Sequence, residues 1–296
     1  MTWKETLVSL YLHISDDKNI KNYLLSIRQS NNDNPEFTDE EVMALYLFGI
    51  HQKYSKVKHI HNYAKNHLSD WFPKLPSYQA FVNRLNKLSG AFSILVSQKI
   101  AKGISELSFI TESLIDSMPI IVAGNKRSSF AKSASDICSK GFCSSKNMFY
   151  YGLKFHMLGF VRPTTIPMPE YCWFTSAEAN DLNAAKDIIE RIHDRKIFGD
   201  KIYFVEEYNR QLQCNNNSVI ISPIKKTKGQ QLKDAADDLY SAAVSGVRQP
   251  IESFFNWINE LTQIQNATKV RSSAGLLVHV WGKLAAALII LTNFNS

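Results

Sequence analysis

Cysteine is scarce: four residues in 296, at Cys138, Cys143, Cys172 and Cys214. They are too few and too irregular for a disulfide scaffold. Cys138 and Cys143 also lack a second Cys or His pair at zinc-ribbon spacing. The thiols are therefore expected to be reduced, as in a cytosolic protein. The N-terminus, MTWKETLVSLYLH, has Glu5 early and Asp16 and Asp17 soon after. It lacks the basic start, apolar run and small-residue cleavage site of a secretory leader. The most apolar stretch, Leu276 to Leu291, is interrupted by His279, Trp281 and Lys283. It falls short of the roughly 20 residues that span a bilayer, which predicts a buried C-terminal helix, no membrane partner and a cytoplasmic location. No GxxxxGK[ST] phosphate loop occurs, so ATP-driven chemistry has no support. Internal repeats are absent as well.

The remaining composition is that of a folded protein. Apolar residues make up 45% of the chain and charged residues 21%, enough for a core and for two domains. Lys and Arg number 34 against 27 Asp and Glu, a net charge of +7 that suits a polyanionic partner. The first 105 residues read as helical. Thr38 with Glu41 three residues later has the form of a capping box, followed by Val42, Leu45, Tyr46 and Ile50 at helical spacing. Ser77 is a cap candidate ahead of Phe81, Leu85 and Leu88. This part holds thirteen basic and nine acidic residues, compatible with a plain helical bundle or with a DNA-binding helical module.

From about residue 106 strand and helix patterns alternate. Strands are expected at Ser108–Val122, Tyr150–Phe160, Tyr171–Thr175, Lys196–Gly199 and Val219–Ile224. Helices are expected at Ala177–Arg195, Val205–Gln213 and over most of Gln230–Leu291. This order predicts an α/β fold rather than a sandwich. Gly124–Asn147, rich in Ser and Lys, reads as a long loop.

Three acids sit in apolar settings. Asp116 lies within Leu114-Ile115-Asp116-Ser117-Met118-Pro119-Ile120, where a carboxylate is costly to bury without a cation. Asp200 follows Ile197-Phe198-Gly199 at a strand end, the place where α/β folds put ligand sites. Glu252 borders an expected helical stripe of Val247, Ile251, Phe254, Ile258 and Leu261, with Pro250 acceptable in a first turn. Taken singly, each acid reads better as structural, and Arg248 with Glu252 reads as an ordinary i,i+4 pair. Together, three carboxylates at one sheet edge suit hard divalent cations, which take oxygen ligands. Two such ions can serve an in-line displacement at phosphorus.

The ordered segments Ile115-Asp116-Ser117-Met118-Pro119, Phe149 to His156, Gly199-Asp200-Lys201-Ile202-Tyr203, Ser222-Pro223-Ile224-Lys225-Lys226 and Arg248-Gln249-Pro250-Ile251-Glu252 resemble those of bacterial insertion-sequence transposases of the DDE superfamily. The resemblance spans roughly residues 75–275. It implies a ribonuclease H-like mixed sheet flanked by helices over 106–296, preceded by an all-helical, DNA-end-binding domain over 1–105. It also implies that Asp116, Asp200 and Glu252 are catalytic and hold Mg²⁺ or Mn²⁺, two ions with Asp116 bridging. Cleavage at the element's ends and 3′-OH transfer into target DNA would follow, on double-stranded terminal inverted repeats. A homo-oligomer associated with the bacterial nucleoid is expected. A silent DNA-binding derivative and a stand-alone nuclease of the same fold are the alternatives. Where many relatives carry a Tyr three residues before the Arg and a basic residue seven after the Glu, this chain has Ser245 and Asn259.

DNA contacts are expected from Arg248, Lys154, Lys225, Lys226, Lys126 and Arg127. Residues 124–162 hold seven basic side chains (Lys126, Arg127, Lys132, Lys140, Lys146, Lys154, Arg162) and one acid, Asp136, a pattern that suits phosphates or merely a solvated loop. Lys225, Lys226, Lys228 and Lys233 form a second cluster. Lys154 and His156 alternate with Leu153 and Phe155 and share one strand face, toward the site or toward solvent. His59 and His61 read as surface histidines, and Trp71, Trp173, Trp257 and Trp281 as core.

Overall fold

The computed structural model describes residues 2–27, 35–226, 230 and 232–293; Lys228 lies outside them. Two compact units divide the chain: Met1–Lys99 with Ile258–Ser296, and Ile100–Trp257.

The first unit is helical. It contains α1 (Trp3–Ser15), α2 (Lys18–Ser26), α3 (Asp39–His51), α4 (Val57–His67), α5 (Tyr78–Leu85), the first part of α6 (Ser89–Leu107) and the whole of α10 (Ser273–Asn293). The Thr38–Glu41 capping box starts α3, and the Ser77 hydroxyl accepts from Ala80 N–H at the start of α5. Every residue of α3 from Val42 to Ile50 is buried, as expected of a helix apolar on all sides. The helix α10 (Ser273–Asn293) packs on α3, with Gly282 so close to Tyr46 that a Cβ there would overlap the ring. The compact units divide at 99/100 and 257/258, and the expected domain boundary lies at 105/106. Residues 258–296 join residues 1–99 because the apolar α10 finds its burial on α3. That helix is also longer than the apolar run suggests: by length and composition it is long enough to cross a membrane, yet it is mostly buried in the protein. His61 is buried and its Nε2 bonds the Pro76 carbonyl, while Trp71 is exposed rather than core.

The second unit is built on a six-stranded mixed sheet. Its strands are β1 (Glu112–Gly124), β2 (Ser139–Cys143), β3 (Met148–Phe160), β4 (Met168–Ser176), β5 (Lys196–Phe198) and β6 (Val219–Ile221). The order is β2-β3-β1-β5-β6, and β4 also pairs with β3. Strand β3 runs antiparallel to β1, β2 and β4, while β5 is parallel to β1 and β6 is parallel to β5. On the outer side of β3, β2 pairs with residues 148–152 and β4 with residues 153–160. The stretch 124–147 is therefore not one loop: it holds a 3-10 turn, Asn125–Ser129, and the strand β2.

One sheet face packs on α7 (Asp181–Ile189) and α8 (Glu206–Asn216). Ile115, Leu158, Ile197 and Ile220 of the strands meet Leu182, Ala185, Ile189 and Leu212 of the helices. The opposite face carries Phe155, whose ring meets Phe255 of α9 (Ala235–Thr262) at 5.8 Å. Helix α6 (Ser89–Leu107) precedes β1, and the unit boundaries fall within α6 and α9. Pro250 lies deep inside α9 rather than in a first turn. The buried stripe of α9 also differs from the expected one. Val247 is exposed, and Val244, Arg248, Ile251, Phe254 and Ile258 are buried.

Candidate active site

Register brings two of the three acids together. Leu114 of β1 pairs with Phe198 of β5 in parallel, and Asp116 and Asp200 each lie two residues further on. With side chains alternating along a strand, Asp116 shares the face of Leu114, and Asp200 leaves the carboxyl end of β5 at the same level. Gly199 makes that exit possible: a Cβ there would sit 2.9 Å from the Ile115 side chain. The Asp200 carboxylate caps the following turn by accepting from Lys201 N–H at 2.7 Å.

The third part comes from α9. Arg248, one of the buried residues of its stripe, reaches the sheet with both terminal nitrogens. Its Nη2 donates to Asp116 Oδ2 at 3.2 Å, and its Nη1 lies 3.9 Å from Asp200 Oδ1. Its Nε is buried without a hydrogen-bond partner. Glu252, one helical turn further along, is exposed and close enough for its charge to act on Asp116. Burial pushes the Asp116 carboxyl up to about 6; Arg248 and the Ser117 N–H oppose the rise, and Asp200 and Glu252 add to it. Asp116 is thus a carboxylate whose ionised form is disfavoured first by burial and then by two neighbouring acids, a cost that a further cation would relieve.

The donor set suits a hard divalent cation, being all carboxylate oxygen. Among the described residues, however, no three His, Cys, Asp or Glu side chains form a metal-holding group. The cation standing between Asp116 and Asp200 is Arg248.

The basic residues separate into two kinds. Lys126 and Arg127, on the turn after β1, are exposed, as are Lys225 and Lys226 after β6. Lys154, also expected to contact DNA, has a different setting. It lies opposite Pro119 on β3, shares the α7 face with Leu158, and is nearly buried. Its ammonium donates to Asp181 Oδ1 and to the Ala179 carbonyl, each at 2.7 Å. Asp116 points from the other face, so Lys154 points neither toward the site nor toward solvent. His156, two residues on, is fully buried, stacks on Trp173 at 5.1 Å and bonds Thr175 Oγ1 at 2.7 Å. Burial lowers its pKa to about 4, so it stays neutral. Arg162 is held by the Ile166 carbonyl. Ser245 and Asn259, the two departures from the motif, are occupied locally: Ser245 Oγ donates to the Ser241 carbonyl, and Asn259 Oδ1 accepts from Gln265 N–H.

Asp181 is the site neighbour that sequence reasoning missed. It accepts from the Ser117 hydroxyl at 3.2 Å as well as from Lys154, tying α7 to the strand that carries Asp116. Its only sequence signal is its place as the first residue of α7, after the cap Asn180.

A mixed sheet in this order, helices on both faces, one acid within its central strand β1 and a second just past the end of the neighbouring β5 define a ribonuclease H-like domain. Residues 108–273, more than half of the chain, match the family described as transposase DDE domain. The chain belongs to that family, and is a transposase of the DDE superfamily. No curated protein and no solved structure matches it.

Proposed function

We propose that the protein cleaves a phosphodiester at the ends of an insertion element and transfers the resulting 3′-OH into target DNA. The observation that carries this reading is the setting of Asp116: half-buried on the interior strand β1, paired with Arg248, and subject to the charges of Asp200 and Glu252. Asp116, Asp200 and Glu252 would hold Mg²⁺ or Mn²⁺, two ions. Bound there, such ions supply Lewis-acid stabilisation of the attacking and leaving oxygens. Arg248 has five donors in a rigid fork and uses only its terminal nitrogens here. Released from the aspartates, it is placed to orient a DNA phosphate. Lys225, Lys226, Lys126 and Arg127 add salt-dependent, sequence-independent affinity for the backbone.

The helical unit is assigned to recognition of the terminal inverted repeats. Exposed Lys56, Lys58 and Lys65 on and beside α4 support that role. Assembly of two or more copies on paired ends, and a cytoplasmic, nucleoid-associated location, belong to the same proposal.

The test is an assay on double-stranded DNA with and without the element's ends, in Mg²⁺ or Mn²⁺. End-specific cleavage and joining are expected, and Asp116→Asn abolishes both while leaving DNA affinity within about twofold. Cleavage indifferent to the ends means a nuclease, and binding without cleavage means a silent DNA-binding protein. Full activity of Asp116→Asn overturns the assignment of the site.

A further inference from the structure

The hairpin of β2 and β3 carries a feature that the carboxylate site does not use. Phe142 and Phe149 face each other across the two strands, and their rings lie 5.0 Å apart. Both are about half exposed, at 49% and 53%, where a soluble protein would place polar side chains. Lys140, on the same face of β2, holds its ammonium 4.8 Å from the Phe149 ring centre. The same ammonium donates to Ser129 Oγ at 3.1 Å. That bond ties the hairpin to the 3-10 turn bearing exposed Lys126 and Arg127.

The other face of the hairpin is fixed. Gly141, Cys143 and Tyr150 are buried there, and Cys143 and Tyr150 cluster with Ala177. Gly141 approaches so near that an added Cβ would overlap the Ala177 carbonyl oxygen. Ser139 Oγ accepts from Glu178 N–H at 2.9 Å. The two phenylalanines are thus presented outward on an anchored ribbon, not left over from a loose loop.

The chemistry around the rings selects the partner. Between residues 124 and 150 the basic side chains are Lys126, Arg127, Lys132, Lys140 and Lys146, and the one acid is Asp136. An apolar protein partner would gain nothing from such a one-signed rim. A nucleic acid matches both parts, because bases have π faces that stack on aromatic rings and the backbone attracts the cations. Paired bases are already stacked within the duplex, so a side-chain platform serves unpaired ones. We infer that Phe142, Phe149 and Lys140 form a stacking platform for unpaired bases of a DNA strand, with Lys126 and Arg127 beside it on the phosphates.

The inference rests on DNA being the substrate, and it adds a second contact at a distance from the chemistry. Eight residue steps along β1 lead from Asp116 to Gly124, which pairs with Tyr150 next to Phe149. At roughly 3.3 Å per residue the platform lies about 26 Å along the strand from Asp116. It therefore engages strand beyond the scissile phosphate.

The test uses the full chain without added metal, a fluorescein-labelled oligothymidylate and a random-sequence duplex of equal length. The variants are Phe142→Ala with Phe149→Ala, and Phe142→Leu with Phe149→Leu; the second pair keeps the hairpin apolar if the first fails to fold. Affinity for the single strand is expected to fall about tenfold in a folded variant of either pair, while duplex affinity changes less than twofold. Quenching of a 2-aminopurine placed in the single strand is expected to disappear with it. Unchanged single-strand affinity, equal losses on both DNAs, or full retention in the leucine pair overturns the platform. So does a wild-type protein that self-associates through the two phenylalanines with DNA affinity indifferent to them. End-specific cleavage of duplex DNA without single-strand binding sinks the platform and leaves the transposase reading standing. Single-strand stacking without any cleavage does the reverse.

Discussion

The two faces of the sheet each set a basic side chain against an aspartate, and the pairs differ in their surroundings. On the α7 face Lys154 and Asp181 meet at 2.7 Å, with the Ala179 carbonyl and Ser117 hydroxyl completing the contacts. Charge is balanced one to one. On the α9 face Arg248 meets Asp116 at 3.2 Å and Asp200 at 3.9 Å, and Glu252 acts on Asp116 as well. Two aspartates share one guanidinium, and a third carboxylate acts on one of them. Ion pairing alone does not mark a functional site; an unbalanced surplus of one sign at a strand end does.

The comparison breaks most sharply on the acids. Glu252→Gln is expected to lower cleavage by about a thousandfold or more, with the urea midpoint unchanged because Glu252 is exposed. Asp181→Asn, on the balanced face, should lower stability and leave the chemistry of the folded fraction within about tenfold. Equal catalytic losses would erase the distinction between the faces.

Lys154→Met addresses the same face from its basic partner. It leaves Asp181 buried and uncompensated, at an expected cost of about 3 kcal/mol in urea denaturation. The salt dependence of DNA binding should keep its slope, since the Lys154 ammonium is held by Asp181 and the Ala179 carbonyl.

Asp116→Asn is expected to stabilise the metal-free protein. The folded-state carboxyl is raised to about 6, so its ionised form opposes folding. That cost is absent below about pH 4, grows between about pH 4 and pH 6, and is complete above. The variant should gain about 1–2 kcal/mol at pH 8 and little at pH 4. A loss at pH 8 would mean that the Arg248 contact outweighs the burial.

Lys283 of α10 shows a buried cation that meets no carboxylate among its hydrogen-bond partners. It donates to the Gln263 carbonyl at 3.1 Å, and burial lowers its pKa to about 7. The unfolded chain then binds more protons between about pH 7 and pH 10, and stability rises with pH across that window. Lys283→Met should flatten the rise and add about 1 kcal/mol at pH 7, as followed by thermal melts. The smallest effect is expected for Lys225→Gln: about a twofold loss of duplex affinity, alike on all sequences, with the salt slope reduced by about one.

Much of this was legible in the residues. Thr38 with Glu41 announced a helix start, and the apolar run around Asp116, the aromatic strand before Phe160 and the Phe198-Gly199-Asp200 strand end announced the sheet. The rest depended on partners far along the chain. Asp181 is 27 residues from Lys154, so alternation on β3 gave Lys154 a face but not its occupant. Strand β2 was hidden because five residues within a Ser- and Lys-rich stretch make too short a pattern. The length of α9 was masked by Pro250, which ordinarily ends helices, and its stripe was misread because a buried arginine counts as polar. The attachment of α10 to the N-terminal helices has no local sign at all.

Arg248 and Glu252 ride on a single helix, and that fact gears the site like a toothed wheel. Each residue in a helix turns the next by about 100°, so four steps bring Glu252 nearly over Arg248. Deleting or inserting one residue between them would swing the glutamate a quarter-turn or more off the aspartates while leaving the helix otherwise sound. The tip of the β2–β3 hairpin, Ser144–Asn147, has no such gearing and can lengthen freely. Drift in this lineage is therefore expected to be lenient about length at the hairpin tip and intolerant of it across one turn of α9.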